Sequence, residues 1–268
     1  MADSIQISGA TRVYGIVGDP VVQVRSPAVY TARFAQEGID AVLVPLHVHA
    51  DRFDDAFPAL LEIVNLDGLL ITAPFKKRAC AFARQLGVAA KTVGAVNALR
   101  READGSWTGD MFDGAGFVHG VEARGLSVSG RRTLLFGAGG AGSAIAAALA
   151  EAGVASISIL DIDAERAVIV ARNLSEAFPH TRAAGVSDAR GEFDLIVNAS
   201  PVGMSAGDGL PGNLGPLKKD VLVGDVVLSE EPTALIAHAQ RFGCAWVNGK
   251  DMHTGQIESI TSFFLTDR

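Results

Sequence analysis

The chain has 268 residues, 49% of them hydrophobic and 20% charged, which suits a soluble globular protein with one large or two modest domains. A formal net charge of −7, with no basic cluster beyond Phe75-Lys76-Lys77-Arg78, excludes the electrostatic footprint of a nucleic-acid or anionic-membrane binder. Cys80 and Cys244 lie far apart, form no disulfide framework and no metal-ligand spacing, and are expected as reduced, buried thiols.

The N-terminal residues show no basic segment followed by an apolar one, so no signal peptide is expected. No apolar run reaches the ~18 residues of a transmembrane span. The expectation is a cytoplasmic protein, monomer or homodimer, whose partner is a small molecule. Arg12 to Val17 reads as a strand, broken by Gly18-Asp19-Pro20. Ser26-Pro27 reads as a helix start, with Ser26 as N-cap and Pro27 in the first turn, and the helix runs to about Gln36. Ala41 to Leu46 is a second strand. His47 and His49 alternate at its end and are read as surface residues, with no metal expected. Phe53, Phe57, Leu60, Leu61 and Val64 recur at helical spacing after Asp51. Gly68 to Ala73 is a third strand, followed by a helix reaching about Leu86. Asp104-Gly105 marks a hairpin.

The clearest stretch comes next. The apolar run Thr133 to Phe136 ends in Gly137-Ala138-Gly139-Gly140-Ala141-Gly142. An Ala-rich helix to Glu151 follows, then a strand from Ile157 to Leu160 ending in Asp161. Strand, glycine turn, helix, strand and acid form the dinucleotide-binding βαβ pattern. Gly137 permits the tight turn. Gly139 lets backbone N–H groups approach a pyrophosphate, and Gly142 lets the helix pack close to the sheet. Asp161 can accept hydrogen bonds from ribose hydroxyls. Beyond it, Ala164 to Ala177 reads as a helix, Phe193 to Asn198 and Val221 to Val227 as strands, Pro232 to Gln240 as a helix, Cys244 to Asn248 as the last strand, and Asp251 to Phe264 as a helix. The fold class is α/β, with two α/β domains.

Several short motifs, in order, carry a resemblance. They are Gly18-Asp19-Pro20 with Arg25-Ser26-Pro27, Thr72-Ala73-Pro74-Phe75-Lys76, Gly94-Ala95-Val96-Asn97, Gly109-Asp110 with Asp113-Gly114, the glycine turn, Asn198-Ala199 and Gln256. Over essentially its whole length the chain resembles the shikimate dehydrogenase family. The resemblance implies a substrate-binding domain at 1–113, completed by a C-terminal helix at 249–268, and a Rossmann nucleotide-binding domain at 114–248. It implies hydride transfer between a ring secondary alcohol and a nicotinamide dinucleotide, the ketone being 3-dehydroshikimate or 3-dehydroquinate. Lys76 matches the catalytic lysine and Asp113 its partner aspartate. Oxidising an alcohol requires the hydroxyl proton to leave with the hydride, and a lysine oriented by a carboxylate can take it. Ser26, Thr72, Asn97 and Gln256 match residues that bind the substrate's carboxylate and hydroxyls. The expected cofactor contacts are Gly137, Ala138, Gly139, Gly140, Ala141, Asp161, Ile162, Arg166, Val226 and Gly249.

The departures are apolar replacements of expected polar groups: Val24, Leu70, Met111, Phe112 and Leu228. A site built to hydrogen-bond its ligand loses much when a partner is removed, so a less hydroxylated ring is the alternative substrate. A dinucleotide sensor without turnover is the alternative from another class, and the pairing of Lys76 with Asp113 opposes it. NADP-dependent members carry Asn-Arg-Thr where this chain has Asp161-Ile162-Asp163. A carboxylate there suits free ribose hydroxyls and repels a 2′-phosphate, so NAD is expected over NADP. Arg166, matching a second arginine of the family, is expected to stack on adenine or soften that repulsion.

Overall fold

A computed structural model describes residues 7–205 and 207–266, and the chain divides into two compact units, Met1–Met111 with Ile260–Arg268, and Phe112–Ser259.

The first unit contains β1 (Arg12–Gly18), α1 (Ser26–Gln36), β2 (Ala41–His47), α2 (Phe53–Leu61), β3 (Leu66–Ile71), α3 (Lys76–Cys80), β4 (Gln85–Leu86), α4 (Val88–Val93), β5 (Ala98–Arg101) and β6 (Trp107–Asp110). Its sheet has the order β2-β1-β3-β5-β6-β4. β1, β2 and β3 run parallel, while β5 is antiparallel to both β3 and β6. Pro45, which lacks an N–H, sits on the edge strand β2, where a missing ladder donor is tolerated. The core centres on Tyr14, whose ring lies 4.7 Å from that of Phe34 and 4.9 Å from that of Phe264. Gly68 makes this possible, because a Cβ there would stand 2.7 Å from Tyr14 and 2.9 Å from Phe264. The Arg100 guanidinium donates to the Phe263 carbonyl at 2.8 Å, anchoring the last turn of the chain to β5.

Local expectation and tertiary structure part company in this unit. The helix expected through Leu86 stops at Cys80, because Gln85 and Leu86 pair in parallel with Thr108 and Gly109. Long-range strand pairing overrides helix propensity there. α4 was not foreseen. Asp110 reaches back to accept from the Ala90 N–H at 3.0 Å, and Gly87 leaves the room, since a Cβ there would meet the Asp110 carboxylate at 2.0 Å. Ser26 is not the cap of α1. Arg25 holds that position without a side-chain bond, and Ser26 is the first helical residue. α2 ends at Leu61 and leaves Val64 exposed.

The second unit contains α5 (Asp113–Ala123), β7 (Arg132–Phe136), α6 (Gly140–Glu151), β8 (Ser156–Leu160), α7 (Ala164–Ala177), β9 (Arg182–Gly185), β10 (Leu195–Asn198), β11 (Leu222–Asp225), α8 (Ala234–Arg241), β12 (Ala245–Val247) and most of α9 (Gly249–Leu265). Its sheet, β12-β11-β10-β7-β8-β9, is wholly parallel, and the strand order reverses between β7 and β10. That reversal is the switch point at which doubly wound sheets bind ligands. β10 and β11 are buried along their whole length, as fully covered parallel strands are. α5 and β9 escaped the sequence reading, and α8 starts after Pro232, with Thr233 as its N-cap. Cys244 is buried and its thiol is pushed up by burial, whereas Cys80 is only half-buried; both are free. Among the described residues no helix is long and apolar enough to cross a membrane.

Candidate active site

In the first unit, main-chain bonds bring three of the expected residues together. The Thr72 N–H donates to the Val17 carbonyl at 2.9 Å, joining the ends of β1 and β3. Gly18 permits this approach, because a Cβ there would lie 2.3 Å from Thr72 Cγ2. The Asn97 carbonyl accepts from Ile71 at 2.8 Å, beside Thr72, and the Lys76 carbonyl accepts from Val96 at 2.9 Å, beside Asn97. Thr72, Lys76 and Asn97 are therefore held by one backbone frame. Asn97 is buried and Lys76 half-buried at the first position of α3. Ser26 stands on α1, also buried, with its hydroxyl not spent on capping the helix. The apolar departures Leu70 and Met111 are buried too, while Leu228 is exposed.

Asp113 and Gln256 meet in the second unit. Asp113 opens α5, is 2% exposed, and accepts from the Gln256 side-chain amide at 3.2 Å. Glycines set this contact. A Cβ on Gly116 would strike Gln256 Cγ at 2.2 Å, one on Gly255 would strike the Gly116 carbonyl at 2.3 Å, and one on Gly114 would strike the Ala144 carbonyl at 2.1 Å. α5 is thus wedged by glycine against α6 on one face and α9 on another. Gly116 and Gly120, four apart on one helix face, were the signal available in the sequence.

The glycine turn is backbone chemistry. Gly137 has φ +96°, and a Cβ there would meet the Ala199 carbonyl at 2.8 Å. A Cβ on Gly142 would meet the Gly137 carbonyl at 2.0 Å, so this glycine seats the first turn of α6 on the turn itself. Around Gly139, by contrast, nothing lies within 4 Å of a would-be Cβ. Among the described residues the N–H groups of Gly140 and Ala141 have no protein acceptor, the usual state of a helix start. They and the helix dipole offer a place for a phosphate. Asp161 is locked beneath: it accepts from Ala138 N–H at 2.6 Å and from Asp163 N–H at 2.8 Å. Ile162 is fully exposed, and Arg166 pairs with Asp163 at 3.2 Å and lies 3.9 Å from Asp161. Val226 and Gly249 also meet, since a Cβ on Gly249 would stand 2.7 Å from the Val226 carbonyl.

A buried network at the ends of β10 and β11 was not read from the sequence. Asp225 accepts from Asn198 Nδ2 at 3.0 Å, from Val227 N–H at 3.1 Å and from Thr233 Oγ1 at 2.6 Å. Asn198 in turn accepts from the Ser200 hydroxyl at 2.6 Å. Burial pushes the Asp225 carboxyl above its ordinary range, against the pull of those three donors. The network fixes the loops that leave the switch point.

Residues 16–99 match the model of the shikimate dehydrogenase substrate binding domain. The chain is 37% identical over 254 residues to shikimate dehydrogenase (NADP(+)) of Rubrobacter xylanophilus, covering 92% of this chain and 88% of that one. The crystal structure of shikimate 5-dehydrogenase from Listeria monocytogenes, in complex with shikimate and NAD, superposes with a TM-score of 0.88 at 27% identity, covering 97% of this chain and 94% of that chain. Quinate dehydrogenase from Corynebacterium glutamicum in complex with NAD gives a TM-score of 0.85 at 29% identity, over 95% and 94% of the two chains.

Proposed function

Because this chain belongs to the shikimate dehydrogenase family, we propose that it moves a hydride between the secondary alcohol of a shikimate- or quinate-type ring hydroxy acid and NAD. Activity as a ring hydroxy-acid dehydrogenase with a dinucleotide cofactor is the family's common ground; the identity of 37% along 92% of the chain carries it. The nicotinamide ring, when bound, takes up or returns the hydride. Lys76 takes the hydroxyl proton at Nζ during oxidation and returns it during reduction. Asp113, which accepts from Gln256, matches the carboxylate that the family resemblance assigns as that lysine's partner. Ser26, Thr72, Asn97 and Gln256 bind the substrate's carboxylate and hydroxyls. In line with this, Ser26, Asn97 and Gln256 are buried polar side chains.

The open space at Gly139 and the acceptor-free amides of Gly140 and Ala141 fit a pyrophosphate. The choice of NAD rests on Asp161, a carboxylate fixed by two backbone amides at the end of β8. A 2′-phosphate there would face Asp161 and Asp163, with Ile162 in place of a cation and Arg166 already paired with Asp163. This runs against the NADP(+) in the name of the Rubrobacter relative and with the NAD bound by the Listeria and Corynebacterium proteins. Leu70 and Met111, apolar and buried, favour a second reading for the substrate: a ring with fewer hydroxyls than shikimate.

The test is a panel of shikimate, quinate and deoxygenated analogues, each with NAD and with NADP, read as cofactor reduction. We expect turnover with NAD at higher kcat/KM than with NADP. A clear NADP preference overturns the cofactor assignment, best turnover of a deoxygenated ring selects the second reading, and NAD binding without any turnover leaves a sensor.

A further inference from the structure

Among the described residues, Asp19, His47 and His49 form a cluster of metal-ligating side chains to which the proposed reaction gives no role. β1 and β2 pair in parallel with Gly18 opposite His47, and the ladder continues one step beyond, with the Val48 N–H donating to the Gly18 carbonyl at 3.3 Å. That extra bond keeps the chain extended past the end of β2. Val48 turns into the core, so His47 and His49, two apart, face the same side. Asp19, next after Gly18, lies opposite them. Its Oδ1 is 2.8 Å from His47 Nε2, and its Oδ2 is 4.0 Å from His49 Nδ1. All three ligand atoms fall within 4.8 Å of one another.

We propose that Asp19, His47 and His49 form a binding site for a late first-row divalent cation of the zinc type. Ligands bound at ~2.0–2.1 Å in a tetrahedron sit roughly 3.3 Å apart. One ligand atom from each of the three residues lies within 4.8 Å of the others, so rotations of the two exposed rings would bring the set to that spacing. The carboxylate is already oriented, because Ala50 N–H donates to Oδ2 at 2.9 Å. Such backbone support of a ligating carboxylate is what metal sites require around their ligands. Two imidazoles and one carboxylate select Zn²⁺, Ni²⁺ or Cu²⁺ over Mg²⁺ or Ca²⁺, which prefer all-oxygen sets. Three protein ligands leave one coordination position for water or a small ligand. An ion there would tie the segment leading from β1 to Ser26 to the segment joining β2 and α2.

The test is calorimetric titration of the metal-stripped full chain with ZnCl2, and separately with MgCl2. We expect one equivalent of zinc, no magnesium heat, affinity lowered about tenfold or more in His49→Ala, and no specific site in the His47→Ala/His49→Ala double variant. His49 is largely exposed, so its removal leaves the core intact, and thermal melts check that each variant is folded. Zinc binding equal in wild type and His49→Ala, absence of a stoichiometric zinc site in wild type, or equal binding of magnesium would each overturn the proposal. Co²⁺ substitution supplies an independent readout: visible d–d bands of a four-coordinate ion in wild type that are missing in the double variant.

Discussion

Around Gly137–Gly142 the chain builds with main chain alone: a positive φ, a helix start seated on a turn, and amides with no protein acceptor among the described residues. Around Lys76 the first unit builds differently, with Thr72 and Lys76 on one segment, Asn97 on another, and cross-bonds between the two backbones holding them. The turn tolerates no Cβ at Gly142 yet is silent about which ring is oxidised. In the first unit, by contrast, the apolar departures Leu70 and Met111 are accommodated in buried positions. The turn is thus a matter of backbone shape within one βαβ unit, and the Lys76 frame a matter of segments brought together from a distance.

The largest effect separates the two regions outright. Lys76→Ala should lower kcat by about 10²–10⁴-fold while leaving NAD affinity, measured by fluorescence titration, near wild type. Full activity in that variant would remove Lys76 from the mechanism. Next, two alanines within the turn should behave oppositely. Gly142→Ala, with its Cβ 2.0 Å from a backbone oxygen, should lose about 1–3 kcal/mol in urea unfolding. Gly139→Ala, with nothing within 4 Å, should unfold within roughly 0.5 kcal/mol of wild type and yet bind NAD more weakly. Unchanged NAD affinity in Gly139→Ala would show that the open space at Gly139 has no ligand role. A smaller change tests the acidic end of β8: Ile162→Arg should shift the NADP-to-NAD ratio of kcat/KM by about tenfold toward NADP, roughly 1.4 kcal/mol.

The smallest effect lies on the surface of the second unit. Arg132 and the Arg132 N–H hold the Asp194 carboxyl down at about 2. The folded value lies below the unfolded one, so the stability from this pair is present above pH ~4 and is lost as pH falls toward ~2. Because the pair is exposed and screened by solvent, Arg132→Ala should cost little at neutral pH, less than any variant above. The difference in Tm between variant and wild type should shrink as pH drops below about 4.

The glycine turn was legible because its requirements are local: φ at Gly137, space at Gly139 and Gly142, and a carboxylate after the second strand all lie within one βαβ unit. Motif order made Lys76, Asp113 and Gln256 legible through family resemblance. No pattern of spacing showed the last two in contact, because 143 residues separate them. The helix expected to run to Leu86 failed for the same reason in reverse, since β4 exists only through its partner strand. The Asp225 network depends on Asn198, at the end of β10, and Thr233, the cap of α8, arriving from separate segments. His47 and His49, read alone, looked like surface residues, and their third partner, Asp19, stands 28 residues away. The sequence by itself determined what the backbone must do locally: the α/β alternation, the turn, and the family to which they belong. Only the tertiary structure decided which distant polar groups share a site, because burial and pairing across strands and helices depend on where the chain returns, not on what it carries at each step.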